Sequence, residues 1–312
     1  MASCLVTGGA GFIGSNLVRA LLAQGHSVRV LDNFSTGRHE NLAELKADID
    51  LQTGDLRDTD ALFDAVLGVQ HIFHLGALPS VARSVTDPLS THEVNVTGTL
   101  NLLLAAREAG VERVIFSSSS SVYGNTEELP KREDMLPNPL SPYALSKLTG
   151  EHYLRIFWEL YGLRTYSLRY FNVFGPRQDP ASHYAAVIPL FVQAYQRGDA
   201  PRIHGDGEQT RDFTFVDDVV AGNLCCMSAA DDAAGGVYNL AWGNRTSINE
   251  LARDIGALMK QTATPVHEPP REGDVRDSQA DSSRARKALN WTPQVTFEDG
   301  LKQTVEWFKV NG

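Results

Sequence analysis

The run Thr7-Gly8-Gly9-Ala10-Gly11-Phe12-Ile13-Gly14-Ser15 constrains the fold of this chain more than any other stretch. It follows directly on the apolar, β-branched segment Cys4-Leu5-Val6-Thr7 and opens into apolar residues at helical spacing. Gly8, Gly11 and Gly14 recur at every third position. The chain can therefore turn tightly, and its N–H groups can approach a bound group at the positive end of the helix. Strand, glycine turn and helix in that order begin a βαβ unit built around a pyrophosphate. By itself the turn also fits a Gly-rich corner that binds nothing.

The same rhythm continues to about residue 175. Val28–Leu31, His71–Phe73, Val114–Phe116 and Thr165–Leu168 read as strands, and 14–24, 60–67, 96–109 and 143–161 as helices. Alternation of this kind predicts an α/β fold with a doubly wound parallel sheet of the Rossmann type. Beyond Gly175 the rhythm breaks at Pro176, Pro180, Pro189, Pro201, Pro269 and Pro270. A smaller mixed α/β domain is expected there. The boundaries are 1–175 and 176–312, with part of 212–244 free to return to the first domain, and the active cleft is expected between the two.

Charge narrows the ligand class. A net charge of -10 over 312 residues argues against a nucleic-acid partner, which needs clustered Lys and Arg. An anionic small molecule would need locally placed arginines instead. No apolar run reaches the roughly 18 residues of a membrane span. Cys4, Cys225 and Cys226 lack metal-ligand spacing and read as reduced, mostly buried residues. The first strand leaves no space ahead of it for a secretory leader, so a cytoplasmic protein without a bound metal is expected.

The second strand ends at Asp32, about 20 residues past the glycines, where a carboxylate can accept from the ribose hydroxyls of an adenosine. That charge repels a 2'-phosphate and favours NAD over NADP, although Arg38 lies nearby. Asp55, in Gly54-Asp55-Leu56, can reach the adenine or serve as a helix N-cap. Tyr143 and Lys147 lie four residues apart, hence on one face of a helix that starts after Pro142. They follow the serine run Ser117 to Ser121 at the end of another parallel strand, where ligands of open α/β sheets sit. For Tyr143 to act as a base near pH 7 its pKa must fall by about three from about 10, which requires roughly 4 kcal/mol of phenolate stabilisation. Lys147 and an oxidised nicotinamide ring could supply it; alternatively, Tyr143 is a half-buried helix tyrosine and Lys147 a solvated cation.

Together these residues resemble the extended short-chain dehydrogenase/reductase family, and within it the UDP-hexose and UDP-N-acetylhexosamine 4-epimerases, over nearly the whole chain. The resemblance rests on Thr7 to Gly14, Asp32-Asn33-Phe34-Ser35-Thr36-Gly37, Ser117 to Gly124, Tyr143 to Lys147, Arg169 to Pro176, Arg211-Asp212-Phe213 and Arg271-Glu272-Gly273-Asp274. It implies a catalytic set of Ser119, Tyr143 and Lys147, with Ser120 and Ser121 lining the sugar. It implies that NAD is held by Gly8, Gly11, Phe12, Ile13, Gly14, Asp32, Asn33, Ser35, Thr36, Gly37, Asp55 and Leu56. Leu75, Gly76, Ala77, Asn95, Ser117, Tyr143, Lys147 and Tyr170 complete that set. The serine run could equally be strand-end capping.

For the UDP-sugar the resemblance implies Ser80, Asn172, Ala186, Val187, Arg202, Ile203, Arg211, Arg271 and Asp274, with Arg211 and Arg271 on the diphosphate and Asp274 on the ribose. A guanidinium fork suits phosphate; surface salt bridging is the alternative for each arginine. One departure is informative. Ser278 stands where hexose-restricted relatives look to carry a tyrosine, and a small residue there leaves room for an acetamido group. Dehydratases and decarboxylases of the family need an acid in the serine strand, yet Ser121 precedes Val122-Tyr123-Gly124. A UDP-glucuronate 4-epimerase remains open, as does a non-catalytic nucleotide-sugar sensor that kept the fold. The resemblance also implies a homodimer formed through the helices beginning near Val96 and Tyr143.

Overall fold

The computed structural model describes residues 1–180, 186–270 and 275–311. The strands are β1 (Ser3–Thr7), β2 (Ser27–Asp32), β3 (Ile49–Thr53), β4 (His71–His74), β5 (Arg113–Ser119), β6 (Arg164–Tyr170), β7 (Val173–Phe174), β8 (Arg202–His204), β9 (Thr210–Arg211), β10 (Thr214–Phe215), β11 (Gly236–Leu240), β12 (Thr246–Ser247) and β13 (Val266–Glu268). The helices are α1 (Phe12–Ala23), α2 (Thr59–Val66), α3 (Val81–Thr86), α4 (Pro88–His92), α5 (Gly98–Glu108), α6 (Pro142–Tyr161), α7 (Val187–Gln196), α8 (Val216–Cys225), α9 (Ile248–Met259), α10 (Ser283–Leu289) and α11 (Phe297–Asn311).

Seven strands form one sheet in the order β11-β6-β5-β4-β1-β2-β3, and its pairings are all parallel. β4 is buried throughout and β1 along all but its first residue, which explains their continuous apolar character. The strand order reverses between β1 and β4, and the crevice beyond their carboxyl ends is where such sheets bind ligands. Gly8, just after β1, has φ +70, and a Cβ there would sit 2.7 Å from Gly76 N, just after β4. The two loops at the switch point therefore touch, and only glycine fits between them.

Gly236–Leu240 joins the large sheet beside β6 although much of the smaller part lies between them in sequence. α8 packs back on α1. The smaller part is built from α7, α9 and α11 with the pairs β8–β13, β9–β12 and β7–β10. α9 has a capping box in which Ser247 and Glu250 satisfy each other's end of the helix. Phe174, Phe213 and Phe297 stack edge and face at 5.5–6.1 Å between centroids, joining the two parts through one apolar core. Cys4 and Cys226 are buried and Cys225 half-buried, all as free thiols. Among the described residues no helix is long and apolar enough to cross a membrane.

Candidate dinucleotide and sugar-nucleotide site

The amino end of α1 is open toward the cleft. Its N-cap is Gly11, no side chain caps it, and no acid lies in its first turn. The peptide dipoles of the helix therefore present an uncompensated positive end to a bound anion. The helix start also packs against the glycine turn, because a Cβ on Gly14 would lie 2.2 Å from the Gly8 carbonyl oxygen. Gly14→Ala is expected to cost about 1–3 kcal/mol of stability through that clash, and to weaken NAD binding because the amides move. Chemical denaturation and calorimetric titration with NAD check both effects.

Asp32, at the end of β2, is 7% exposed and accepts hydrogen bonds from Ala10 N at 2.9 Å and Phe34 N at 2.8 Å. Burial pushes its carboxyl upward, and those two amides oppose the shift. The loop that follows curls over it, since a Cβ on Gly37 would meet both carboxylate oxygens at 2.9 Å. A nucleoside sugar hydroxyl can enter this space, whereas a phosphate would face the carboxylate. Arg38 instead engages Asp179 at 3.3 Å and Glu40 at 3.5 Å.

Asp55 is gripped by Arg57, through Nε to Oδ1 and Nη2 to Oδ2 at 2.8 Å each, and by Asn33 Nδ2 at 2.8 Å. The Arg57 fork holds its carboxyl far below the usual range. The helix-capping alternative for Asp55 is corrected, because α2 is capped by Asp58, which accepts from Asp60 N and Ala61 N. Asn95 also departs from expectation. It is 2% exposed and stands behind the cleft wall, bonded to Leu78 N at 2.8 Å, Leu78 O at 3.2 Å and Ser146 Oγ at 3.1 Å. It fixes the 77–80 loop from behind and is not part of the cleft lining.

α6 begins at Pro142, with Ser141 Oγ accepting from Ala144 N at 3.1 Å. Its first two turns deliver Tyr143, half-buried, and Lys147, 3% exposed, to the end of β5. Lys147 Nζ donates to the Ser117 carbonyl at 2.7 Å, lies 4.9 Å from the centre of the Phe116 ring, and is 5.9 Å from the centre of the Tyr143 ring. Burial pushes Lys147 down to about 7 and pushes the Tyr143 phenol up, while a hydrogen bond from Ser119 pulls the phenol back down. Burial thus favours the protonated phenol, and a further positive charge in the site would oppose it. Ser119 also accepts from Ser121 N at 3.2 Å and so caps the turn at 120–123, which makes the capping and ligand readings of the serine run compatible. Ser121 Oγ and Gln178 Oε1 are buried beside the cleft without a protein hydrogen-bond partner.

The cleft encloses about 810 Å³ and is lined by the glycine turn, Asp32, Ser35, Thr36, Leu56, Leu75, Ala77, Ser80, Ser117 to Ser121, Tyr143, Lys147 and Tyr170. A neighbouring cavity of about 510 Å³ is lined by Val187, Arg202, Ile203 and Arg211. Asn172, Val173, Gln178 and Ala186 form a wall common to both. The two spaces thus suit a dinucleotide and a second nucleotide meeting near Tyr143. Arg211 Nη1 donates to the carbonyls of Thr210 at 2.9 Å and Arg276 at 3.2 Å. Ser278 Oγ accepts from Asn172 Nδ2 at 3.3 Å, and Ser278 N donates to Thr210 O at 3.2 Å. Arg271 and Asp274 lie outside the described residues.

Two contributors escaped the sequence reading. Arg177 lines the cleft with φ +71, and its Nη1 donates to Asn16 Oδ1 at 2.5 Å, tying the segment after β7 to α1; the Pro-rich run around it was the only signal. Asp212 is fully buried and accepts from Gly243 N and Ala280 N at 3.0 Å, pinning the segment that carries Ser278. Burial pushes its carboxyl up to about 7. A raised folded-state pKa for an acid stabilises below the unfolded value and is lost as pH rises through the folded one. The Asp212 contribution should therefore fall between pH 4 and 7 by up to about 1.4 kcal/mol per pH unit. Asp212→Asn is expected to flatten the urea-measured stability over that window.

Fold and site together define a Rossmann enzyme that uses a dinucleotide to act on a second ligand beside a Tyr–Lys pair. The chain belongs to the NAD dependent epimerase/dehydratase family, whose family model matches residues 4–241. It is 45% identical over 310 residues to a UDP-glucose 4-epimerase of Mycolicibacterium smegmatis, covering 98% of each chain. Its fold is similar to the UDP-glucose 4-epimerase of Thermotoga maritima solved with UDP-glucose, at TM-score 0.94 and 39% identity over 99% of each chain. It is equally similar to the UDP-N-acetylglucosamine 4-epimerase of Methanobrevibacter ruminantium solved with UDP-N-acetylmuramic acid, at TM-score 0.94 and 40% identity, covering 100% of this chain and 99% of that one.

Proposed function

We propose that the chain is an NAD-dependent 4-epimerase of UDP-sugars that accepts UDP-N-acetylglucosamine and UDP-N-acetylgalactosamine along with UDP-glucose and UDP-galactose. The observation that carries this reading is the meeting of Ser119, Tyr143 and Lys147 on the cleft wall, next to a second cavity containing Arg211. NAD supplies the two-electron chemistry at C4 when bound. Tyr143 takes the C4 hydroxyl proton and gives it back, Ser119 holds that hydroxyl, and Lys147 favours the phenolate. Arg211 and Arg271 hold the diphosphate, so that the sugar can present either face while its anchor stays fixed.

In this reading residues 1–175 form the NAD-binding domain and 176–312 the nucleotide-sugar domain, with 212–244 partly shared. Support for the sharing comes from α8 and β11, which pack with the first domain. A cytoplasmic homodimer is proposed, formed through α5 and α6, which expose Leu104, Leu145, Ile156 and Leu160. Incubation of the purified protein with UDP-glucose, UDP-N-acetylglucosamine and UDP-glucuronate, followed by chromatographic resolution of the products, tests the proposal. C4 epimers of the first two are expected. Turnover of UDP-glucuronate alone would make it a glucuronate epimerase, and no turnover despite bound NAD would make it a sensor.

A further inference from the structure

The helix that delivers Tyr143 and Lys147 carries another polar residue on the same face. Glu151 lies one turn beyond Lys147 and is 4% exposed. Its carboxylate accepts from Ser118 Oγ at 2.5 Å and from Arg169, Nε to Oε1 at 2.8 Å and Nη2 to Oε2 at 2.7 Å. Ser118 stands between Ser117, whose carbonyl accepts from Lys147, and Ser119, which bonds the Tyr143 phenol. Arg169 lies over the Tyr123 ring at 4.6 Å. The Tyr123 hydroxyl donates to Asn239 Oδ1 at 2.7 Å, and Asn239 N donates to Glu133. One buried carboxylate thus links α6 directly to β5 and β6, and through Arg169 and Tyr123 to β11.

Stability alone does not account for this arrangement, because apolar residues of similar volume often replace a buried ion pair without loss. Its position beneath the reacting groups is more telling. The Lys147 ammonium faces the Ser117 carbonyl, the Phe116 ring, Tyr143 and His74. His74 is neutral, pushed down to about 3 by burial and by Lys147, and bonded to Thr7 and Thr99. Among the described residues, Glu151 is the negative charge that acts on Lys147.

We propose that Glu151 is a positioning residue: it locks the helix bearing Tyr143 and Lys147 onto the serine strand and places a negative charge one helical turn beyond Lys147. This deepens the epimerase reading and rests on it. Burial lowers the Lys147 pKa and Glu151 opposes that, so removing the charge makes Lys147 lose its proton at lower pH.

Glu151→Gln keeps the shape and removes the charge. Competitive acylation of Lys147 by acetic anhydride across pH, read by peptide mass spectrometry, follows the ammonium without turnover. Its titration and the alkaline limb of kcat are both expected to move about one pH unit lower. At pH 8 kcat should fall at least about tenfold, with KM and the Kd for NAD held within about threefold. Should Arg169 without its partner unfold the variant, Glu151→Gln combined with Arg169→Met is measured in its place, with a smaller shift in the same direction expected because Lys147 then loses the positive charge of Arg169 as well as the nearer negative one. An unmoved Lys147 titration and pH profile, with activity falling only in step with NAD affinity or folded fraction, overturns the proposal. A wild-type protein that epimerises no UDP-sugar overturns the epimerase reading instead, and the acylation titration still decides whether Glu151 charges Lys147.

Discussion

Tyr143→Phe is expected to lower kcat at least about a hundredfold, a loss of about 2.7 kcal/mol of transition-state stabilisation. The ring stays in place at the start of α6, whose capping by Ser141 does not involve the phenol. The lost oxygen is the one that Ser119 bonds, and burial otherwise keeps it protonated. Fold and NAD content should therefore survive while proton transfer at C4 does not. Melting temperature, bound-NAD absorbance and single-turnover rates separate these effects, and near-normal turnover would remove Tyr143 from the chemistry.

Ser278→Tyr is expected to reduce kcat/KM for UDP-N-acetylglucosamine at least about a hundredfold while changing that for UDP-glucose by less than about threefold. The Ser278 amide donates to Thr210 O, a bond that the substitution keeps, so the backbone is held where a ring must be accommodated. Asp212, holding Ala280 N at 3.0 Å, stiffens the same segment. Ser278 lines neither cavity itself but holds Asn172, which lines both, so a tyrosine is expected to crowd that shared wall where an acetamido group is proposed to lie, and overpacking is felt by the larger ligand first. Steady-state kinetics with both substrates decides the matter; an equal loss on both would refute the size argument.

Much of the large sheet was legible because its signals are local. The glycine turn, Asp32, and the four-residue spacing of Tyr143 and Lys147 are each set by a single strand end or helix face, and the cleft gathers all of them. The two-residue strands β7, β9, β10 and β12 have no periodicity of their own, since tertiary pairing alone creates them. Asn95 entered the cofactor set only through the family resemblance. Its place in the π-helical stretch Glu93–Thr97, where the side chain turns to Leu78 and Ser146, depends on contacts that spacing cannot reveal. The roles of Arg177, Asp212 and Glu151 were hidden for a similar reason. Each acts across a distance of many residues, on Asn16, Ala280 and Arg169 respectively.

The most direct test of C4 oxidation and return within one closed cleft is an isotope measurement. UDP-N-acetylglucosamine carrying deuterium at C4 is converted in ordinary water, and the product is read by mass spectrometry and proton NMR. Retention of the label at C4 of the epimer is expected, because the atom removed is returned without meeting solvent. Its replacement by protium from water would contradict the proposed chemistry and point to proton abstraction from carbon instead.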